Sequence, residues 1–391
     1  MRQFFIILFF FGIGNGLCSA QKTKFISYAT STLEAIYKHY GVEGNVLLRE
    51  NYPFRGDFRA DYLGVEAEKT QANSFSYLWP YSGMLSAHVA LLETTKSREW
   101  VKAIDQNVLT GLQAYYDDKR EPKAYASYIN SAPQSDRFYD DNIWIGIDFT
   151  DLYLLTKKKV YLEQALEVWR FVESGMDDKL GGGIYWCEQR KESKNTCSNA
   201  PAIVFLAKLY IATKEEKYLT LAKSLYQWVQ NQLLDPSDSV YYDNINLRGQ
   251  LDRRKFAYNS GQMIQAGALL YKISKEKQYL TDAQRIAKGA YSYFFHPIAE
   301  SDTMQSFRYL RKSNNWFIAV MMRGYVELYA MDGNSLYVDT FRKNLDNAWD
   351  HMREARGLFH KDWSGKEKDK RFWLLDQLAM VEMYARIAGI R

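Results

Sequence analysis

The segment YDDNIWIGIDFTDLYLLTKKKVYLEQAL, residues 139–166, contains two helical patterns separated by a short polar turn. The first is apolar nearly all round over residues 143–147, which is typical of a helix buried on every side. The second, from Tyr161, places apolar residues on one face and Lys or Glu on the other, as in a surface helix. The segment therefore predicts a hairpin of one inner and one outer helix.

The same hairpin recurs along the chain. Its outer helix opens around an aromatic residue at intervals of 61, 57, 61 and 58 residues, at Trp100, Tyr161, Tyr218, Tyr279 and Tyr337. A period of this length marks a supersecondary unit that must stack on its neighbours. Helical periodicity predicts twelve helices, over residues 24–40, 79–95, 97–118, 139–156, 159–176, 198–213, 215–233, 256–274, 276–295, 314–331, 333–353 and 371–389.

Short turns and long loops alternate strictly between these helices. The long loops cover residues 41–78, 119–138, 177–197, 234–255, 296–313 and 354–370. Six hairpins with this alternation predict an all-α fold, an (α/α)6 barrel in which two concentric layers of helices close into a ring. Every inner helix then begins on the long-loop face, so we expect a functional cleft there, above helix ends with unpaired N–H groups.

The first 20 residues are a predicted signal peptide. Arg2 is followed by an apolar run over residues 4–13 and then by small residues, and the run is too short for a membrane span. Residues 21–391 are expected to form a single catalytic domain, exported to the periplasm or secreted, and monomeric. In an alternative interpretation as an outer-membrane lipoprotein, Cys18 would carry the lipid anchor.

Charge and cysteine content narrow the function classes. The net charge of +5 falls to +4 once Arg2 is removed, which is too weak and dispersed for a nucleic-acid partner. The five His residues are far apart, and no metal-ligand spacing occurs, so no metal is expected. Cys187 and Cys197 lie ten residues apart, where a disulfide or two free thiols would fit. The 16% aromatic content fits either a ring-rich core or a carbohydrate groove.

Asp140 and Asp141 are the candidate catalytic pair. They open an inner helix, which places them at the floor of the expected cleft. Helix capping alone would also explain aspartates at this position. The functional interpretation is hydrolysis of a glycosidic bond, because mutual repulsion would leave one carboxyl group ionised and the other protonated.

Aromatic and amide side chains occur at the other inner-helix starts and in the glycine-rich loop 181–186, where they can stack on sugar rings and bind hydroxyls. The candidate substrate-binding residues are Trp79, Tyr81, Asn142, Trp144, Tyr185, Trp186, Asn199, Tyr258, Asn259, Gln262 and Trp316. Each of them singly fits capping or core packing. Their convergence on one face indicates carbohydrate binding.

In their order and spacing, these motifs resemble glycoside hydrolase family 76, the endo-α-1,6-mannanases. The matching segments are residues 139–144, 181–186, 194–199 and 258–261. The resemblance implies an (α/α)6 barrel and a retaining mechanism, with Asp140 as nucleophile and Asp141 as general acid/base. It implies α-1,6-linked mannan as substrate, with no metal or organic cofactor.

Two alternatives stay open. One is another (α/α)6 glycosidase, either an unsaturated-glucuronyl hydrolase or an exo-α-1,6-mannosidase. The glucuronyl enzyme would need basic residues grouped at the inner-helix starts, and no such group is evident there. The other alternative is a non-catalytic glycan-binding protein, which loss of either carboxylate would favour. The sequence does not distinguish endo from exo cleavage.

Overall fold

The computed structural model describes residues 8–60, 73–297 and 307–390, with side chains from Ala20 onward. Twelve helices within these residues follow the predicted plan. Their bounds are α1 Leu8–Tyr40, α2 Leu78–Thr95, α3 Arg98–Ala103, α4 Tyr139–Thr156, α5 Lys159–Glu173, α6 Thr196–Thr213, α7 Glu216–Leu233, α8 Ala257–Ser274, α9 Lys277–Phe294, α10 Asn315–Asp332, α11 Leu336–Asn347 and α12 Leu374–Gly389. Further helical turns prolong α3 to Tyr115 and α11 to Met352.

The even-numbered helices form a closed inner ring. Each of α2, α4, α6, α8, α10 and α12 contacts the next, and α12 contacts α2. The odd-numbered helices α3 to α11 each pack outside the preceding inner helix, while α1 packs on α12, so the two ends of the chain supply the sixth pair. Helix α4 is buried along most of its length, whereas α5 buries one face. The predicted (α/α)6 barrel is confirmed.

The short turns share one construction. Each inner helix that leads into a turn ends at a left-handed residue with φ of 58–70°, namely Lys96, Lys157, Lys214, Lys275 or Gly333. The N–H of that residue bonds to the carbonyl four residues earlier, which satisfies an otherwise unpaired helix end. The aromatic residue that marks the repeat follows four positions later each time. The period in the sequence is thus the spacing of these turns.

The long loops contain short antiparallel strands that were not predicted. The largest sheet has β8 (Val240–Asn246) in the centre, paired with β6 (Ser193–Asn195), β7 (Leu234–Asp235) and β9 (Leu251–Lys255). Three two-stranded pairs complete the set: β1 Gly41–Val42 with β2 Asn45–Leu48, β3 Asn51–Tyr52 with β10 Phe372–Trp373, and β4 Tyr116–Asp117 with β5 Ala124–Tyr125. Most of these strands are too short for the alternation that would reveal them in a sequence.

The structure describes only part of the N-terminal segment predicted to be a signal peptide. Residues 1–7 of the predicted signal peptide and the Cys18 side chain lie outside the described residues. The predicted start of the first helix at residue 24 is wrong, since α1 begins at Leu8 and no proline interrupts it. Among the described residues, no helix is long and apolar enough to cross a membrane.

The sequence left open whether Cys187 and Cys197 form a disulfide. In the structure both are free thiols.

Two glycines allow a close approach between α8 and α10. A Cβ atom on Gly261 would lie 2.3 Å from the Met321 Cα, and a Cβ atom on Gly324 would lie 2.2 Å from the Gly261 carbonyl oxygen. Both obstructing atoms belong to the backbone, which cannot turn away as a flexible side chain can. A methyl group at either position would therefore push the two inner helices apart.

We expect Gly261→Ala to lower the free energy of unfolding by about 1–3 kcal/mol, the usual penalty for overpacking a core. Urea unfolding monitored by circular dichroism measures this loss. Gly56→Ala is the matched control, because its added Cβ would meet nothing within 4 Å. Equal stability of the two variants would contradict the close approach of the helices.

Candidate active site

The inner-helix N-termini surround a cavity of about 430 Å³. The second residue of five inner helices lines this cavity, namely Trp79, Asp140, Cys197, Tyr258 and Trp316. The other lining residues are Tyr77, Ser127, Phe138, Asp141, Trp144, Trp186, Ser193, Asn195, Asp243, Asn244, Arg254, Phe256 and Phe317. The cavity thus lies on the predicted long-loop face, and the repeat places one side chain of each of these helices in it.

Asp140 lies at the floor of the cavity. Its Oδ2 accepts a hydrogen bond from the indole nitrogen of Trp186 at 3.1 Å, whereas its Oδ1 is buried with no hydrogen-bond partner among the described residues. Burial raises the pKa of Asp140 to about 6, and favourable interactions with Cys197 and Trp186 oppose this rise. One carboxylate oxygen is therefore held by Trp186, and the other is buried beside the cavity without a hydrogen-bond partner among the described residues.

Asp141 lines the same cavity from the next position of α4 and is partly exposed. Phe138 occupies the N-cap position of this helix, so neither aspartate is the cap residue itself. Both carboxyl groups lie in the first helical turn, where the helix dipole favours negative charge. The structure therefore brings together the two predicted catalytic residues.

Aromatic rings from α2, α8 and α10 form a continuous wall of the cavity, made of Trp79, Tyr258, Trp316 and Phe317. The Tyr258 ring stacks on Phe317 with centroids 4.2 Å apart, and Trp79 meets Trp316 edge to face at 5.3 Å. From α4, Trp144 meets Trp316 edge to face at 4.9 Å. This aromatic wall presents ring faces suited to the apolar faces of sugars.

A polar wall faces the cavity from the β8–β9 hairpin, and its residues were missed in the sequence. Asp243 is buried; its Oδ2 accepts a hydrogen bond from Asn244 at 3.0 Å and lies 3.6 Å from an Arg254 nitrogen. Burial raises the pKa of Asp243. The sequence does contain a signal for strand β8, the run of β-branched and aromatic residues over 240–246. Only the fold, however, places that strand over the barrel.

Six of the predicted substrate-binding residues do not line the cavity: Tyr81, Asn142, Tyr185, Asn199, Asn259 and Gln262. The other five do line it, namely Trp79, Trp144, Trp186, Tyr258 and Trp316. The difference follows from the direction of each side chain: along α4, Asn142 turns towards a long loop, whereas Trp144, two residues later, lines the cavity.

Asn142 and Asn199 are structural clamps, which corrects their predicted role. The Asn142 amide accepts from the Tyr125 N–H at 2.8 Å and donates to the Tyr125 carbonyl at 2.9 Å. Asn199 holds the N–H and the carbonyl of Ile184 in the same way, at 2.7 and 2.9 Å. Each of these buried amides is occupied in fastening a long loop to an inner helix, so it is not available to sugar hydroxyls.

The remaining four residues are also corrected to buried positions outside the cavity. The Tyr81 hydroxyl donates to the Val108 carbonyl at 3.3 Å, and the Tyr185 hydroxyl donates to Asp177 at 2.7 Å. The Gln262 amide donates to Gln265 at 2.9 Å. Asn259 is fully buried and favours the ionised form of Asp243.

We expect Trp186→Phe to raise the pKa of Asp140 above its value of about 6, because the charged carboxylate loses a stabilising N–H donor. If hydrolysis needs ionised Asp140, kcat/KM rises as pH increases through this pKa, and the acid limb moves to higher pH in the variant. The pH dependence of kcat/KM measures this shift. Trp169→Phe, in the outer helix α5, is the control and should leave the limb in place.

The described residues contain no group of three or more His, Cys, Asp or Glu side chains placed to hold a metal ion. A closed double ring of helices, a cleft at the inner N-termini, adjacent carboxyl groups and an aromatic wall together define the glycoside hydrolase class. The chain belongs to glycosyl hydrolase family 76, whose model matches residues 56–384.

Comparisons with solved structures agree with this assignment. A family 76 glycoside hydrolase (mannosidase) from Bacteroides thetaiotaomicron is 34% identical and superposes with a TM-score of 0.83, covering 94% of this chain and 98% of that one. An α-1,6-mannanase from Salegentibacter sp. shares the fold at 24% identity and a TM-score of 0.74, covering 93% and 98%.

A curated protein of Schizosaccharomyces pombe, described as meiotically up-regulated gene 191 protein, is 24% identical over 255 residues. The match covers 58% of this chain and 57% of that protein. The chain thus aligns with little more than half of this relative's length.

Proposed function

We propose that this protein is a retaining glycoside hydrolase that cleaves α-1,6-mannosidic linkages in mannan. The observation that carries the proposal is the pair Asp140 and Asp141 at the floor of an aromatic-walled cavity, with the Asp140 Oδ1 unpartnered. The linkage is supported by the Salegentibacter α-1,6-mannanase, of which a variant with two consecutive aspartates replaced is described as inactive and in complex with α-1,6-mannotriose.

In the first step, the ionised Asp140 carboxylate attacks the anomeric carbon as the bond from that carbon to the leaving oxygen breaks. The Asp141 carboxyl group gives its proton to the leaving oxygen, so the departing sugar leaves as a neutral alcohol. Trp186 holds the Asp140 Oδ2 and thereby restrains the orientation of the carboxylate. A mannosyl ester on Asp140 is the product of this step.

In the second step, Asp141, now a carboxylate, removes a proton from water, and the water oxygen displaces Asp140 from the anomeric carbon. The configuration is retained because the carbon is inverted twice. Both carboxyl groups line the same cavity, so one can attack the sugar while the other transfers the proton.

The polar wall gives the glucuronyl alternative little support. Among the described residues that line the cavity, Arg254 is the only cation. It pairs with Asp252 at 2.6 Å and also lies 3.6 Å from Asp243, so two carboxylates offset its charge. A uronate ligand would meet a site with more negative than positive side chains. We expect instead that the ligand is a neutral sugar. We also expect that residues 1–20 direct export of the protein and that it acts as a monomer.

Product analysis tests this function. The mature protein is incubated with debranched α-1,6-mannan, and we expect short manno-oligosaccharides whose first-formed reducing ends have the α configuration in proton NMR. First-formed β ends would show an inverting mechanism instead. If no product forms but the glycan is bound, the protein is a binding protein, and a glycan array then identifies its ligand.

A further inference from the structure

A buried ion network lies about halfway along the inner helices, below the cavity. Arg323 of α10 donates to both carboxylate oxygens of Glu382 of α12, at 2.6 and 2.7 Å, and both side chains are at most 4% exposed. Arg386 donates to the same carboxylate at 2.6 Å. Although burial opposes ionisation, Arg323 and Arg386 lower the pKa of Glu382 to about 2, so the network is charged at neutral pH.

Such a network is a weak way to stabilise a barrel. Removing charges from water is expensive, and apolar packing of similar volume often stabilises a core at least as well. Inner helices of this barrel are otherwise mostly buried apolar residues. The bidentate ion pair therefore needs an explanation other than stability, and we look for it in the contacts of Arg323.

Arg323 reaches across the barrel axis to the catalytic helix. Helices α4 and α10 are three places apart in the ring of six and thus face each other. The guanidinium carbon of Arg323 lies 5.8 Å from the centroid of the Trp144 ring, within the range of a cation–π contact. The same ring lines the cavity and meets Trp316 edge to face. Trp144 is thus held between the aromatic wall and a buried cation.

The position of Trp144 matters for the site because it follows Asp140 by four residues on α4. Side chains at this spacing lie on the same face of a helix, one turn apart. The orientation of the indole ring therefore sets the depth of the cavity next to the Asp140 carboxylate. A change in its tilt would alter how closely a sugar ring approaches that carboxylate.

We propose that Arg323 is a positioning residue, which Glu382 holds in place and which fixes the Trp144 ring as the floor of the sugar subsite next to Asp140. The sugar ligand in this inference rests on the proposed function. The orientation of the ring is a separate property that is measurable without any ligand.

The test compares two proteins. The parent carries Asp140→Asn alone, and the variant carries Arg323→Met in addition. In the variant, Glu382 keeps Arg386 as its partner, while both the Trp144 ring and the buried Asp148 carboxyl group lose the cation near them. We expect the Kd for α-1,6-mannotriose in calorimetry to weaken about tenfold, which corresponds to about 1.4 kcal/mol. We also expect a changed near-ultraviolet circular dichroism spectrum without ligand. Arg323→Lys, which keeps the charge but not the bidentate geometry, should give an intermediate Kd.

Lys208→Met is the matched control. It breaks another ion pair between inner helices, that of Lys208 with Asp151 at 2.5 Å, and no aromatic ring contact of Lys208 is found among the described residues. A general weakening of the barrel would affect both variants, whereas loss of ring positioning affects only Arg323→Met. Equal Kd values for Lys208→Met, Arg323→Met and the parent would overturn the proposal.

The ligand-free spectrum separates this proposal from the proposed function. If the wild-type protein neither cleaves nor binds mannosides, the proposed function fails, and the spectrum still decides the role of Arg323. The spectral change caused by Arg323→Met must vanish in a Trp144→Phe background; a change that persists there refutes the positioning of this ring. If Arg323→Met does not fold, the double variant Arg323→Met/Glu382→Leu removes both charges of the bidentate pair, leaves Arg386 paired with Glu93 and is examined in the same way.

Discussion

Replacing Asp140 with Asn should lower kcat on α-1,6-mannan by at least about 10³-fold, the order of loss expected when a covalent nucleophile is removed. The amide is nearly the same size as the carboxyl group and can still accept the Trp186 N–H, so the site keeps its shape. It cannot form the glycosyl ester, because a neutral amide is a poor nucleophile. The expected loss is therefore chemical and should leave the affinity for the glycan largely intact.

Initial rates of reducing-end release measure this change, and calorimetry with α-1,6-mannotriose checks that binding survives. Asp118→Asn is the control, because Asp118 is the second residue of another Asp-Asp sequence but is exposed and does not line the cavity. It should keep wild-type turnover. If Asp140→Asn retains near wild-type rates, Asp140 is not the nucleophile.

Replacing Asp141 with Asn should lower turnover of mannan by about 10²–10⁴-fold, the usual contribution of a general acid or base. The loss should depend on the leaving group. A sugar alkoxide needs a proton to depart, whereas a dinitrophenolate does not. With dinitrophenyl α-mannoside, the first step should remain fast and the second slow, so a burst of dinitrophenol should precede a slow steady state.

Addition of azide tests the second step, because this small anion needs no general base to attack the mannosyl ester. We expect azide to accelerate steady-state turnover of Asp141→Asn and to give an α-mannosyl azide. Wild type is the control and should release dinitrophenol without this dependence. The reverse pattern, with a burst in Asp140→Asn and complete loss in Asp141→Asn, would exchange the two roles.

The prediction of the barrel succeeded because its signals are local. Residues 143–147 are apolar all round, and the turn at Lys157 separates them from an amphipathic helix, so one segment of sequence identifies both an inner and an outer helix. The predicted bounds of α4 are those of the structure. The predicted helices 97–118 and 333–353 include the turns that prolong α3 and α11, but the sequence pattern did not distinguish their π and 3-10 geometry from α-helix.

The site was predicted less completely, and the failures are of two kinds. An asparagine in the first turn of an inner helix has the same sequence signal whether it binds a sugar or a loop. Asn142 and Asn199 bind loops, because their side-chain amides are hydrogen-bonded to the backbone of Tyr125 and of Ile184. Conversely, Asp243 lies in a long loop without a helical pattern, and it became part of the site only through the pairing of β8 with β6 and β9.

The sequence by itself determined the helical repeat, the face of the barrel on which the cleft lies and the position of Asp140 and Asp141 at an inner-helix start, because periodicity and turn chemistry act over a few residues. Only the tertiary structure decided which side chains meet there. Trp186 reaches Asp140 across 46 residues, and Arg323 reaches Glu382 across 59. Such contacts depend on the packing of a long loop over an inner helix or of one inner helix against the next, which brings residues distant in the chain within hydrogen-bonding distance.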